Sequence, residues 1–183
     1  MKRVYHRYAP GEEIPVLPCV HRRKLFKYYN REAMAAVLTA SELLSGAGLP
    51  SSTPFYYSSA ETELIPCFDE IFQKYGEWDV FDAVRYTAAA SPQSQFKMMR
   101  NMVPCFVSVE NGLTGDNNVI IDSASALLYA ALTAPGDGPV LIGAGHLHAD
   151  GSVECGFALV RPEELSGHPL LGSGETAITS FRP

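Results

Sequence analysis

No apolar run in this 183-residue chain approaches the roughly 18 residues that cross a bilayer, so no membrane span is expected. The start, MKRVYHRYAP, is basic but has no apolar stretch behind it, which argues against a signal peptide. Cysteine is sparse: Cys19, Cys67, Cys105 and Cys155 lie far apart and form no CxxC pair. That pattern predicts buried, reduced thiols in a cytoplasmic protein rather than a disulfide framework. Positive charge is in deficit, with 14 Lys+Arg against 20 Asp+Glu and a net charge of −6. Such a balance gives no global field for a phosphate backbone, so nucleic acid is not an expected partner. With 15 Gly and 13 Pro there is no collagen-like or linker-like bias, and no internal repeat or low-complexity segment is present. What remains is a chain 46% apolar, long enough to bury one core and too apolar to be disordered.

Residues Arg3 to Tyr8 read as an opening strand, followed by a loop punctuated by Pro10, Pro15 and Pro18. The longest helical pattern runs from Arg22 to Leu44, with Leu25, Tyr29, Ala33, Ala36, Val37, Ala40 and Leu44 on one stripe. Gly46, Gly48 and Pro50 supply its stop. The run FYYSS, Phe55 to Ser59, reads as a buried strand. Ser59 or Glu61 opens a second helix through Leu64, Phe68, Ile71 and Phe72, ending near Gly76. Another helix is expected over Val80 to Ala90, and Ser91-Pro92 opens a third in SPQSQFKMMRN. Met98, Met99 and Met102 are expected to fill the core.

The period then changes. Cys105 to Val109 alternates like a strand, and Asn111 to Asn118 is dense in turn formers. Val119 to Ile121 reads as a short strand and Ser123 to Thr133 as an apolar helix. Val140 to Leu147 and Val153 to Val160 flank Ala149-Asp150-Gly151 as a hairpin. Residues 163–183 look like a peripheral tail to a domain formed by residues 1–162. Strands alternating with helices, then a closing hairpin, indicate a layered α/β domain with a mixed sheet.

The sharpest local feature is GDNNVIIDSASALLYAAL, a strand running into a small-residue helix with Ser123 and Ser125 on its first turn. Free backbone N–H groups and the positive dipole end favour an anion or an activated nucleophile at such a place, although Asp122 and Ser123 are also ordinary caps. His146, His148 and Asp150 alternate as HxHxD and offer three close ligands, fewer than a well-held zinc needs beside a tight turn, so a surface hairpin without metal is expected. Glu61, Asp69 and Glu70 are candidate paired carboxylates whose commoner role is a solvated helix face. Around the first helix start, His21, Arg22, Arg23, Lys24 and Lys27 form a basic cluster at the wrong end for the dipole. They are either solvated surface or a meeting point for an acidic partner.

The stretch NMVPCFVSVENGLTGDNNVIIDSAS resembles the segment that leads into the active-site cysteine of β-ketoacyl synthases, the condensing enzymes of fatty-acid and polyketide synthesis. Asn101-Met102, Gly112-Leu113-Thr114-Gly115 and Asp122-Ser123-Ala124-Ser125 follow, in order, that family's Asn-Met, its Gly-Leu-x-Gly turn and its Thr-Ala-Cys. Arg22-Arg23, the Ala-rich helix, FYYSS and the helix after Glu61 are similar to the stand-alone β-ketoacyl-synthase-like N-terminal domain proteins of aryl-polyene and related lipid or pigment clusters. The resemblance extends from Arg3 to Arg161.

It implies a thiolase-like half: a mixed five-stranded sheet with helices on its faces. It also exposes two departures. Matching Ser-Ala-Ser to Thr-Ala-Cys puts Ser125 at the nucleophile, whereas an ungapped count from Gly115 selects Ala124, and neither supplies a thiol. The family's second half, with its histidines, has no counterpart here, since His146 and His148 do not match those positions. The resemblance therefore implies an accessory protein of fatty-acid, polyketide or aryl-polyene-type synthesis without condensing activity or cofactor. Its expected partner is a synthase subunit or an acyl carrier protein, in a homo- or hetero-dimer. Ser123 and Ala124 would form an anion or acyl site at the helix start, and Arg22, Arg23, Lys24 and Lys27 would dock the acidic carrier. The alternative is an acyltransferase, thioesterase or decarboxylase that uses Ser125 as acyl acceptor, which requires a nearby base.

Overall fold

The aromatic run Phe55–Ser59 forms strand β2, buried along its whole length, and a strand covered on both faces belongs inside a sheet. On one side β2 pairs in parallel with β3 (Asn117–Ile121), on the other with β4 (Val140–Leu147). The chain then reverses into β5 (Val153–Val160), and β1 (Lys2–Tyr8) pairs antiparallel with the outer edge of β5. In this computed structural model, which describes residues 2–60, 93, 96–97 and 99–183, the result is a mixed five-stranded sheet in the order β1-β5-β4-β2-β3. The hairpin strands have the bounds their alternation predicts. Their turn is closed by His148 and Ser152, with Asp150 accepting from the backbone N–H of Ser152 at 2.8 Å.

Helices cover both faces. α1 (Arg31–Leu44) and α2 (Met102–Asn111) pack on the side of Phe55, Tyr57, Leu141 and Phe157. α3 (Ala124–Leu132) and the short α4 (Pro162–Leu165) pack on the side of Tyr56, Ile142 and Ala158. No helix among the described residues is long and apolar enough to cross a membrane.

Several expectations need correction. The first helix begins at Arg31 rather than Arg22. Asn30 adopts an extended backbone and its side chain accepts the N–H of Ala33 at 2.8 Å, an N-cap that fixes the start. Residues 22–29 form successive tight turns, including the 3-10 turn Phe26–Tyr28. The second correction concerns Cys105 to Val109, which lies inside α2. Val103, Phe106, Val107 and Glu110 are among its buried residues, and their helical spacing outweighs the short alternation. Pro104 sits in the first turn, where its missing N–H costs nothing. The expected second and third helices fall mostly outside the described residues, although Gln93, Phe96 and Lys97 are helical. Of the three methionines expected in the core, Met102 packs against it, Met99 is exposed, and Met98 lies outside the described residues.

The third correction is the segment 163–183, which is part of the core. Leu165, Ala177, Ile178 and Phe181 are buried against the α3 face of the sheet. A Cβ on Gly156 would lie 2.2 Å from the Cβ of Phe181, so β5 carries glycine where the ring descends onto it. Next to it, Glu154 is 1% exposed and accepts from Arg182 Nε at 2.9 Å, Arg182 Nη2 at 3.0 Å and the hydroxyl of Tyr5. His148 Nε2 lies 2.8 Å from its other oxygen. Burial pushes the Glu154 carboxyl up, but the hydrogen bonds from Arg182, Tyr5 and His148 outweigh it and bring it down to about 2.

Phe181→Ala is expected to cost about 3 kcal/mol in urea unfolding, since it leaves a cavity over Gly156. Arg182→Ala is expected to cost about 2 kcal/mol by stranding a buried carboxylate. Because the Glu154 carboxyl is depressed from 4.5 to about 2, its contribution is complete above pH 4.5 and fades as the pH falls toward 2. The acid-unfolding midpoint of Arg182→Ala, followed by circular dichroism, should therefore move to higher pH.

Candidate functional site

β3 passes directly into α3, as the sequence predicts. The N–H of Asp122 donates to the Ser59 carbonyl at 3.1 Å, which ties the junction to the end of β2. Asp122 takes a left-handed backbone with φ of 32°, so the chain turns sharply before Ser123. Ser123 is the N-cap of α3 and its hydroxyl accepts the N–H of Ala126 at 3.1 Å. Ala124 is fully buried, and its N–H donates to the Glu175 carbonyl at 3.0 Å. The Ser125 hydroxyl accepts the N–H of Gly172 at 2.9 Å.

At the expected anion or acyl site Ser123 and Ser125 are half-buried, Ala124 is buried and Ala126 is exposed. The segment between Leu165 and Ala177 lies across the helix start, and the N–H groups of Ala124 and Ala126 already have acceptors. Among the described residues, no carboxylate or imidazole lies within hydrogen-bond reach of Ser125, so nothing there acts as its base.

The remaining sequence candidates separate. His146 and His148 stack with ring centroids 3.9 Å apart, but His148 turns to Glu154 and Asp150 caps Ser152. No group of three or more His, Cys, Asp or Glu side chains among the described residues is arranged to hold a metal. Glu61, Asp69 and Glu70 lie outside the described residues. Arg22, Arg23, Lys24 and Lys27 are exposed on the turns that precede α1, not on its first turn. Of the thiols, Cys155 is buried, Cys19 is half-buried and Cys105 is exposed on α2, against the expectation of uniform burial.

The sequence reading missed a polar cluster on the α1 side of the same sheet end. Glu32, in the first turn of α1 and 3% exposed, accepts from Tyr57 Oη at 2.9 Å and from Ser59 Oγ at 3.1 Å. Tyr57 Oη also lies 3.9 Å from Cys155 Sγ. A Cβ at Gly145 would lie 2.0 Å from that hydroxyl and 2.7 Å from Glu32 Oε1, so glycine is required for the cluster to close. Burial pushes the Glu32 carboxyl up, opposed by the Tyr57 and Ser59 hydrogen bonds and the charge of Arg100. Burial also raises the Cys155 thiol, which removes its thiolate character and with it nucleophilic use. The available signal was a glutamate on the stripe of Ala36, Ala40 and Leu43, where an apolar residue belongs. Ser59 belongs both to this cluster and, through its carbonyl, to the Asp122 turn, so the two sides of the sheet end are mechanically joined.

Glu32→Gln tests the cluster, since an amide can still accept from Tyr57 and Ser59. A carboxyl raised above its ordinary 4.5 stabilises the fold below that pH and loses the contribution as the pH rises through its folded value. The stability of Glu32→Gln relative to wild type should therefore increase as the pH rises above 4.5 in urea titrations, and a pH-independent difference would contradict the raised carboxyl. No protein-family model matches this chain, and no curated protein does.

Proposed function

We propose that this chain is a β-ketoacyl-synthase-like half domain without condensing chemistry, an accessory cytoplasmic protein of fatty-acid, polyketide or aryl-polyene-type synthesis. The observation that supports this most is the β3–α3 passage. At the position aligned with the family's cysteine stands Ser125, whose hydroxyl accepts a backbone N–H and has no base beside it among the described residues. A serine without a base is a poor nucleophile, and the N–H groups of Ala124 and Ala126 on either side of it are engaged by the chain itself.

Without a nucleophile, the useful property of such a half is its surface. β3 is an edge strand that, among the described residues, pairs only with β2. Its last residue, Ile121, is 59% exposed, and the helices before and after it also expose apolar side chains, Val109 on α2 and Tyr129 on α3. An unpaired edge with exposed apolar residues invites a partner strand or face. In this reading a synthase-type subunit, or a second copy of the chain, covers the β3 edge.

Two measurements test the proposal. In light scattering coupled to size exclusion, the wild-type chain should form a dimer with itself or with a synthase subunit, and Ile121→Asp should shift it to monomer. After incubation with acyl thioesters, mass spectrometry should find no adduct on Ser125. An adduct abolished by Ser125→Ala would replace the accessory reading with the acyl-acceptor one.

A further inference from the structure

Glu32 lies in the first turn of α1, against the sheet, and is 3% exposed. The titratable or charged groups that face it among the described residues are Tyr57 of β2, Cys155 of β5 and Arg100 in the turn before α2. β4 meets it with Gly145, where a Cβ would stand 2.7 Å from Glu32 Oε1 and 2.0 Å from Tyr57 Oη. That wall leaves no room for water on the β4 side, so the donors of a carboxylate there come from the protein. Tyr57 Oη supplies one at 2.9 Å, and Ser59 Oγ lies 3.1 Å from Oε1 and 3.3 Å from Oε2.

The two hydroxyls differ in slack. A hydroxyl that donates to an ionised oxygen settles at about 2.5–2.7 Å, and the Ser59 contacts lie further outside that range than the Tyr57 contact. A protonated carboxyl makes a different demand, because one of its oxygens is itself a donor and a neighbouring hydroxyl must accept. Ser59 is within reach of both oxygens and can take either role. Gain or loss of the proton therefore moves Ser59 more than Tyr57, whose ring is packed against Phe55 and Phe157.

Ser59 is also where β2 meets the β3–α3 junction. Its carbonyl accepts the Asp122 N–H at 3.1 Å, while the N–H of the next residue, Ala60, donates to the Gly145 carbonyl at 3.0 Å. Asp122 holds a left-handed backbone with φ of 32°, uncommon for a residue with a side chain, and Ser123 after it caps α3. A pull on the Asp122 N–H is thus a pull on the peptide that sets how α3 starts.

We propose that Glu32 is the buried sensor of a pH-dependent adjustment of the β3–α3 turn. Ionisation draws the Ser59 hydroxyl inward, and the Ser59 carbonyl carries the movement to Asp122 and the first turn of α3. Burial raises the Glu32 carboxyl above its ordinary 4.5, against the pull of Tyr57, Ser59 and Arg100, so the adjustment occurs above that pH. The device is independent of the accessory reading, since it involves no partner and no reaction.

Nuclear magnetic resonance on the full chain tests it. The side-chain carboxyl carbon of Glu32 reports its own ionisation, and the backbone amides at positions 122–124 report the turn, from pH 4.5 upward. Asp122→Asn serves as the background, because asparagine also tolerates the left-handed state and the titration of the Asp122 side chain is removed. In that background the three amides should shift with the same midpoint as the Glu32 carboxyl. Adding Ser59→Ala should raise the midpoint, since a donor is lost, and should remove most of the amide response. Adding Glu32→Gln should leave the amides flat over the same range, and the Ser59→Ala comparison decides the matter where Glu32→Gln does not fold. The proposal is overturned if the amides do not follow the Glu32 carboxyl, or follow it with full amplitude in Ser59→Ala. A Glu32 carboxyl that keeps one state throughout the range overturns it as well. Neither result bears on the pairing at β3 or on the Ser125 adduct, which are read separately.

Discussion

The bond between Glu154 and Arg182 is the tie on which the other arrangements depend. It joins the start of β5 to the last residues of the chain, and Tyr5 and His148 bring β1 and the hairpin turn to the same carboxylate. With Arg182 held, Phe181 sits over Gly156 and Ile178 enters the core. That placement in turn carries the Glu175 carbonyl to Ala124 and the Gly172 N–H to Ser125. The arrangement of the α3 start is therefore a tertiary property, tied to a carboxylate on a different strand.

Three buried carboxylates show how donor type decides the fate of a charge. Glu154 has a guanidinium and two further partners, and its carboxyl is held low. Glu32 has two neutral hydroxyls and a more distant Arg100, and burial pushes its carboxyl up. Glu110 accepts from two backbone N–H groups and a tyrosine hydroxyl. Its proximity raises the Tyr29 hydroxyl further above a value already lifted by burial. The same residue type thus serves as an ionic tie, a hydroxyl-bound strut and a backbone cradle, according to what the neighbouring elements offer.

Where one element determines its own structure, the sequence is readable. The FYYSS strand, the 140–147 and 153–160 hairpin and the passage from β3 into a serine-capped helix all follow from local pattern and turn chemistry. Readability fails where a distant residue decides. The helical stripe from Leu25 to Leu44 continues through Tyr29 by spacing alone, but Asn30 resets the backbone and Tyr29 is drawn to Glu110 across 81 positions. Residues 105–109 fit both periods, and only the packing of Val103, Phe106 and Val107 on the α1 side selects a helix. The closing segment is rich in Gly, Ser and Pro, so nothing local announces that Ile178 and Phe181 find the core or that Gly172 meets Ser125. Glu32 was visible as an acid in an apolar stripe, yet its partners Tyr57 and Ser59 are brought to it only by the sheet.

The pairing of β1 has a consequence for synthesis of the chain. Lys2 lies opposite Leu159 and Tyr8 opposite Val153, so β1 leaves the ribosome long before the strand it pairs with. Until residues 153–160 have emerged, β1 travels as an unpaired edge, with Val4 and Tyr8 still waiting for the core they complete. Local helices such as α1 can form early, but the sheet closes in a late and cooperative step. The nascent polypeptide therefore passes through a long interval in which β1 is available to the wrong neighbour, a vulnerability that chaperones exist to manage.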